Sequence, residues 1–150
     1  MNTTDNTFSF DAAEDSSGFL LWQVTNLWQR EIKKALEAFN LTHSQYVLLA
    51  STHWYALQKQ EVTQILLSVN TKIDPMTTST VLRTLQKKGL IKREEHLTDT
   101  RAKTVVLTDA GKEVIKEAVK VVEKFDSLFF EPVKQQSIQF NKSLLALLKQ

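Results

Sequence analysis

The sequence predicts a mainly helical fold that carries one small β-hairpin. Three observations predict it. The chain of 150 residues holds only three Gly and two Pro, too few for the turns of a many-stranded β architecture. Apolar residues recur at helical spacing along most of its length. The period changes once, over residues 90–107, where two short Ile- and Val-containing runs flank a polar stretch.

The elements follow in order. Residues 1–17 read as an arm, with Phe8 and Phe10 available to dock on another surface such as a partner subunit. From Gly18 to Phe39 the pattern is helical, with Leu21, Trp28, Ile32, Ala35 and Phe39 on one face. Asn40-Leu41 interrupts it. Thr42 is placed to cap a second helix with an apolar stripe of Tyr46, Val47, Ala50, Trp54 and Leu57. A short third helix lies near Thr63 to Val69, with Ile65, Leu66 and Val69 apolar. Asp74-Pro75 opens a fourth. Asp satisfies the orphan amides of a first turn, and Pro at the first helical position needs no amide partner. This helix runs to Lys87-Lys88-Gly89, where two cations suit the dipole and Gly suits a left-handed stop. Leu90 to Glu95 and Lys103 to Leu107 are the two strands, joined by the polar tip at 96–102. Thr108 caps the next helix. Along it Ile115, Ala118, Val122, Phe125 and Phe129 form a heptad-like seam that Val114 and Val121 widen. Pro132 ends that helix, and a last one carries Phe140, Leu144, Leu147 and Leu148.

Composition removes several function classes. With 42% hydrophobic and 24% charged residues the balance is that of an ordinary globular protein. The chain has no Cys, which removes disulfides, thiol nucleophiles, Fe–S clusters and thiol redox sensing. His43, His53 and His96 are too scattered to hold a metal, so neither metal nor cofactor is expected. The arm is acidic and lacks the basic start of a signal peptide, and no segment has the apolar length of a membrane span. A cytoplasmic protein without a membrane partner is expected. No nucleophile elbow, phosphate loop or zinc-protease signature occurs, so no enzyme is expected either.

The net charge of +2 conceals an asymmetry. Between Lys72 and Lys103 eight bases face four acids, a local +4 that leaves −2 for the remainder. Such a segment is either a phosphate-binding surface or a solvated face with Lys-capped helix ends. Two short helices followed by a hairpin are the parts of a winged helix-turn-helix. The second of those helices, Pro75 to Lys88, is about 21 Å long. Thr78, Val81, Leu82 and Leu85 make its apolar side. Met76, Thr77, Thr80, Arg83, Thr84 and Lys87 lie opposite, with Ser79 between them. Small hydroxyl side chains allow close approach to a groove, and Arg pairs bidentately with guanine. A Thr-rich run is costly in an exposed helix, which favours a binding role over a bland surface.

These residues carry a resemblance. Leu85-Gln86-Lys87-Lys88-Gly89-Leu90-Ile91-Lys92-Arg93, then Asp99 and Arg101, then Leu107-Thr108 and Gly111, resemble the MarR family of bacterial transcriptional regulators. Leu41-Thr42 with Gln45-Tyr46 fits the start of that family's second helix, and the likeness runs over residues 18–149. Two departures stand out. Leu67 replaces a commonly small residue, and Thr80 occupies a position that can be basic.

The resemblance implies a homodimer on pseudo-palindromic double-stranded DNA. It implies dimerisation helices at 18–41 and 108–150 and a DNA-binding lobe at 42–107. The expected DNA-binding residues are Thr77, Ser79, Thr80, Arg83, Thr84, Lys87, Asp99, Arg101 and Lys103, with Asp99 orienting Arg101 toward the minor groove. It further implies a small aromatic effector. Trp22, His43, Tyr46 and Trp54 are candidates to bind it, with Tyr55 and His53 nearby in sequence. The other reading of these aromatics is core packing. The expected function is therefore a sequence-specific regulator, a homodimeric repressor released by a ligand. The rival is a winged-helix module for protein–protein contact, and the Thr- and Arg-bearing helix face argues against it.

Overall fold

The computed structural model describes residues 5–95 and 103–150. Six helices and one hairpin are present among them. In chain order these are α1 (Ser17–Leu36), α2 (His43–Leu57), α3 (Gln64–Thr71), α4 (Pro75–Lys87), β1 (Ile91–Glu95), β2 (Lys103–Leu107), α5 (Asp109–Phe129) and α6 (Ser137–Leu148). Short 3₁₀ turns precede α1, follow it, and join α5 to α6.

Local chemistry sets the boundaries. Ser16, Thr42, Thr63, Asp74 and Thr108 each accept an amide of the first turn they precede. Thr42 and Gln45 form a reciprocal capping box, which satisfies the amides of both residues at the start of α2. Asn40 (φ 53°) turns the chain after α1, Lys72 (φ 64°) ends α3, and Gly89 (φ 75°) ends α4.

The strands pair antiparallel, with Ile91 opposite Leu107 and Glu95 opposite Lys103. The Val105 amide also donates to the Val62 carbonyl at 2.8 Å, which fixes the hairpin to the segment leading into α3. The hairpin tip, with Asp99 and Arg101, lies outside the described residues.

One core joins these parts. Ile32 and Leu36 of α1, Leu48 and Leu49 of α2, Leu67 of α3, Leu82 and Leu85 of α4, and Ile115 of α5 are fully buried. Leu67 thus fills a central position between the first helix of the pair and its neighbours. Burying each such side chain contributes roughly 1.5–3 kcal/mol.

Three sequence expectations are corrected. The buried side of α2 is Gln45, Leu48, Leu49 and Thr52, whereas Trp54 and Leu57 are exposed. Residues 46–50 are apolar without a break, so periodicity could not single out a face. In α3 the buried residues are Leu67 and Ser68, while Ile65 and Val69 face outward. The α5 seam is largely intrachain. Ile115, Ala118 and Val122 are buried in the chain's own core, and Phe125 packs against it, because α5 lies on both α1 and α2.

The exposed apolar side chains are concentrated on α1 (Phe19, Leu20, Leu21, Trp22, Val24 and Leu27) and α6 (Ile138, Leu145, Leu147 and Leu148 among them), and Val121 and Leu128 of α5 are exposed as well. Every residue from 131 to 150 is exposed.

Candidate nucleic-acid interface

The site is built on α4. Its first turn is held by Asp74, whose carboxylate accepts the Thr77 amide at 2.8 Å and the Thr77 hydroxyl at 2.6 Å. These bonds, the hydroxyl first, hold the Asp74 carboxyl below its ordinary pKa. The Thr-rich run is explained by its bonding. Thr78 is buried and donates to the Asp74 carbonyl at 2.9 Å, Thr80 donates to the Met76 carbonyl at 3.1 Å, and Thr84 to the Thr80 carbonyl at 3.3 Å. Each hydroxyl proton is used within the helix or its cap. The Thr80 methyl and hydroxyl lone pair remain at the surface.

The helix is two-sided as its sequence predicts. Thr78, Leu82 and Leu85 are buried and Val81 is half-buried. Met76, Thr77, Thr80, Arg83 and Lys87 are exposed, while Ser79 and Thr84 are half-buried at the margin. Among the described residues Arg83 and Lys87 make no ion pair. They stand one turn apart on the same face, available to an anionic partner.

The hairpin root is locked to this helix. Arg93 of β1 donates through Nε to Gln86 Oε1 and through Nη1 to Gln64 Oε1, each at 2.9 Å. One guanidinium thereby ties the last turn of α4, the start of α3 and the first strand. Burial, and to a smaller degree the neighbouring Arg83 charge, push its pKa below the ordinary value. The bridging role of Arg93 was not legible in the sequence, because its partners lie 7 and 29 residues away.

Six of the nine expected DNA-binding positions share α4. Lys103, at the start of β2, is exposed on the hairpin. Asp99 and Arg101 lie outside the described residues.

The structure does not gather the four expected ligand residues into one pocket. Trp22 is 68% exposed on the open face of α1. His43 lines a cavity of about 490 Å³ with Lys33, Glu37, Asn40 and Lys88. Tyr46 and Trp54 line a different cavity, of about 410 Å³, between α2 and α5, with His53, Tyr55, Val119 and Glu123. His43 and Trp54 sit near opposite ends of α2, about 16 Å apart along its axis, which separates them.

A polar cluster joins α1, α2 and α5. Trp28 Nε1 donates to Asp126 Oδ1 at 2.9 Å, and the His43 ring meets the Trp28 ring edge-on at 4.9 Å. Burial lowers the His43 pKa, and Asp126 partly opposes that shift. Burial raises the Tyr46 phenol to about 12, with Asp126 and Glu123 adding to the shift. Asp126 was not singled out in the sequence. Its one signal there is an acid set beside the apolar seam.

Comparison with known proteins agrees with this geometry. The family model for the ArnR1-like winged-helix domain matches residues 37–124. The chain is 41% identical over 140 residues to the uncharacterized HTH-type transcriptional regulator YdcH of Bacillus subtilis (strain 168), covering 93% of this chain and 95% of the relative. Two solved structures are 23% identical and cover 93% of this chain and 96% of their own. They are a MarR-family transcriptional regulator from Rhodococcus sp. RHA1, with a TM-score of 0.81, and CouR from Rhodococcus jostii RHA1 bound to p-coumaroyl-CoA, with 0.80. The S. aureus MepR–DNA complex is similar at a TM-score of 0.75 and 23% identity, covering 88% of this chain and 98% of that one. At these identities the likeness to the solved structures is one of fold.

Proposed function

The chain belongs to the ArnR1-like winged-helix family and is a transcriptional regulator of the MarR type, and from that premise we propose that it acts as a homodimeric repressor released from its operator by a small ligand. The observation that carries the reading is the exposed face of α4. It offers Thr77, Thr80, Arg83 and Lys87 to a groove, while Thr78, Leu82 and Leu85 fix the opposite side in the core. Ser79 and Thr84 flank that face, Lys103 opens β2, and Asp99 and Arg101 fall in the sequence between the two strands. In this reading Arg83 reads a base edge, Lys87 neutralises a phosphate, and Arg101 enters the minor groove with Asp99 as its orienting acceptor.

The exposed apolar faces of α1 and α6 support dimerisation. A symmetric dimer places two copies of α4 against successive major grooves, which calls for an inverted repeat. Repression follows when that repeat overlaps a promoter. For release, the α2–α5 cavity is the better placed of the two, because it lies where the DNA-binding lobe meets the long helix. Its Tyr46 and Trp54 suit an aromatic ligand, and the similarly folded CouR is bound to p-coumaroyl-CoA.

Selection of binding sites from random duplex DNA tests the proposal. The expected result is an inverted repeat with half-sites about one helical turn apart. No enrichment would overturn it and favour a protein–protein contact module.

A further inference from the structure

Two adjacent lysines end α4, and their surroundings differ. Lys87 is exposed on the face that carries Arg83. Lys88 turns the other way. Its ammonium donates to the Asn40 carbonyl at 2.6 Å and to Gln45 Oε1 at 2.9 Å. Both acceptors belong to the corner between α1 and α2. Asn40 is the left-handed residue that turns the chain after α1. Gln45 is 7% exposed, and its Oε1 also accepts the Thr42 amide at 3.1 Å within the capping box. One ammonium therefore joins the C-terminal end of α4 to the helix corner that leads to the open apolar face of α1.

We propose that Lys88 is a positioning residue for DNA binding, a latch that fixes the angle of α4 relative to α1 and so the spacing of the two recognition helices in a dimer. The proposal rests on the DNA-binding reading above. Apolar contacts among Leu48, Leu49, Leu82 and Leu85 hold the helices together, but such contacts have little directional preference. A charge-assisted pair of hydrogen bonds has direction, and both acceptors are held in place, the Asn40 carbonyl by the turn after α1 and Gln45 Oε1 by the Thr42 amide it also accepts. Lys88 is exposed as Lys87 is, but its ammonium is bonded to the Asn40 carbonyl and Gln45 Oε1 and so is committed to the helix corner, which makes its contribution geometric and not a phosphate contact. Unlatched, fewer molecules hold the competent angle, and apparent affinity falls by that fraction.

The test sets Lys88→Met beside Lys87→Met, with the dimer verified by sedimentation and affinity measured on the selected operator at several salt concentrations. Lys88→Met is expected to weaken binding by about tenfold or more with the salt slope unchanged. Lys87→Met removes one phosphate contact per protomer, two per dimer, and is expected to make that slope shallower by about 1.8. Lys88→Arg keeps two donors and is expected to restore most of the affinity, which loss of fold stability alone would not explain. Equal binding by Lys88→Met and wild type overturns the proposal. So does a shallower slope for Lys88→Met, which would make Lys88 a phosphate contact.

A melting cycle reads the latch without DNA. Gln45→Glu is expected to raise the melting temperature more in the Lys88 protein than in Lys88→Met, and equal increments would overturn the contact. If the wild type selects no operator while the cycle shows coupling, the contact stands but its role in DNA binding falls together with the DNA-binding reading.

Discussion

Replacing Gly111 with Ala tests how the wing is joined to α5. Thr108 and Gly111 form that joint. The Thr108 hydroxyl accepts the Gly111 amide at 3.0 Å and donates to the Gly89 carbonyl at 2.7 Å, while the Thr108 amide donates to the Leu90 carbonyl at 3.1 Å. This draws the first turn of α5 against the backbone of residue 90. A methyl added at Gly111 would fall well inside van der Waals contact with the Leu90 carbonyl oxygen and 3.0 Å from its carbon. The obstacle is backbone, and the bond from Thr108 pins it, so no side chain can swing aside. Overpacking costs about 3 kcal/mol at the upper end of its usual range, offset by about 1 kcal/mol of gained helix propensity. A net loss of about 2 kcal/mol lowers the melting temperature by about 4–8 °C in a domain of this size. The control is Gly18→Ala, where nothing lies within 4 Å of the added methyl. It should be neutral or gain up to about 1 kcal/mol. Circular-dichroism melts at one fixed protein concentration compare the two. A Gly111→Ala protein as stable as the Gly18→Ala protein would refute the close approach of α5 to the wing root.

Other outcomes follow from the same structure. Arg83→Ala should weaken operator binding by about 1–3 kcal/mol per half-site and relax preference at one base position in each half-site, measured by titration on single-base operator variants. Arg101→Ala should weaken binding with dimer and fold intact, and unchanged affinity would remove the wing from the interface. Leu145→Asp on α6 should give monomers by sedimentation. Phe125→Asp should instead lower the melting temperature, because Phe125 packs in its own chain's core. The His43 pKa is lowered, so its contribution to stability is whole above pH 6.5 and is lost as the pH falls through the folded value. Asp126→Asn should lower that value further, which an NMR titration of the imidazole would follow. The Tyr46 pKa is raised, so its contribution is whole below pH 10.0 and is lost as the pH rises toward about 12. Ultraviolet titration of the phenol against melting temperature checks the window.

Legibility in the sequence depended on how local the cause was. Asp74-Pro75, Thr42 with Gln45, Thr108 and Gly89 write their helix boundaries within a few residues, and each was readable. The two-sided character of α4 was readable too, because its polar and apolar residues segregate cleanly. The buried face of α2 was not, since five consecutive apolar residues fit several faces. The α5 spacing correctly marked a buried stripe. Periodicity alone does not say whether the partner is a second copy or the same chain, and here most of the stripe meets α1 and α2. Contacts between distant residues were silent. Trp28 and Asp126 are 98 apart in sequence, and Lys88 lies 48 from Asn40 and 43 from Gln45. No local pattern announces such pairs. The same limit scattered the expected ligand set, whose members share aromatic character but not a common cavity.

The central claim is that the face of α4 with Arg83 and Lys87 binds DNA as a sequence-specific surface. Its most direct test is a titration of the purified protein on its selected operator and on a scrambled duplex, over a range of salt concentrations. A steeply negative slope of log affinity against log salt is expected, with the operator bound at least about 10³-fold more tightly than the scramble. A flat slope with equal binding of both duplexes would contradict it.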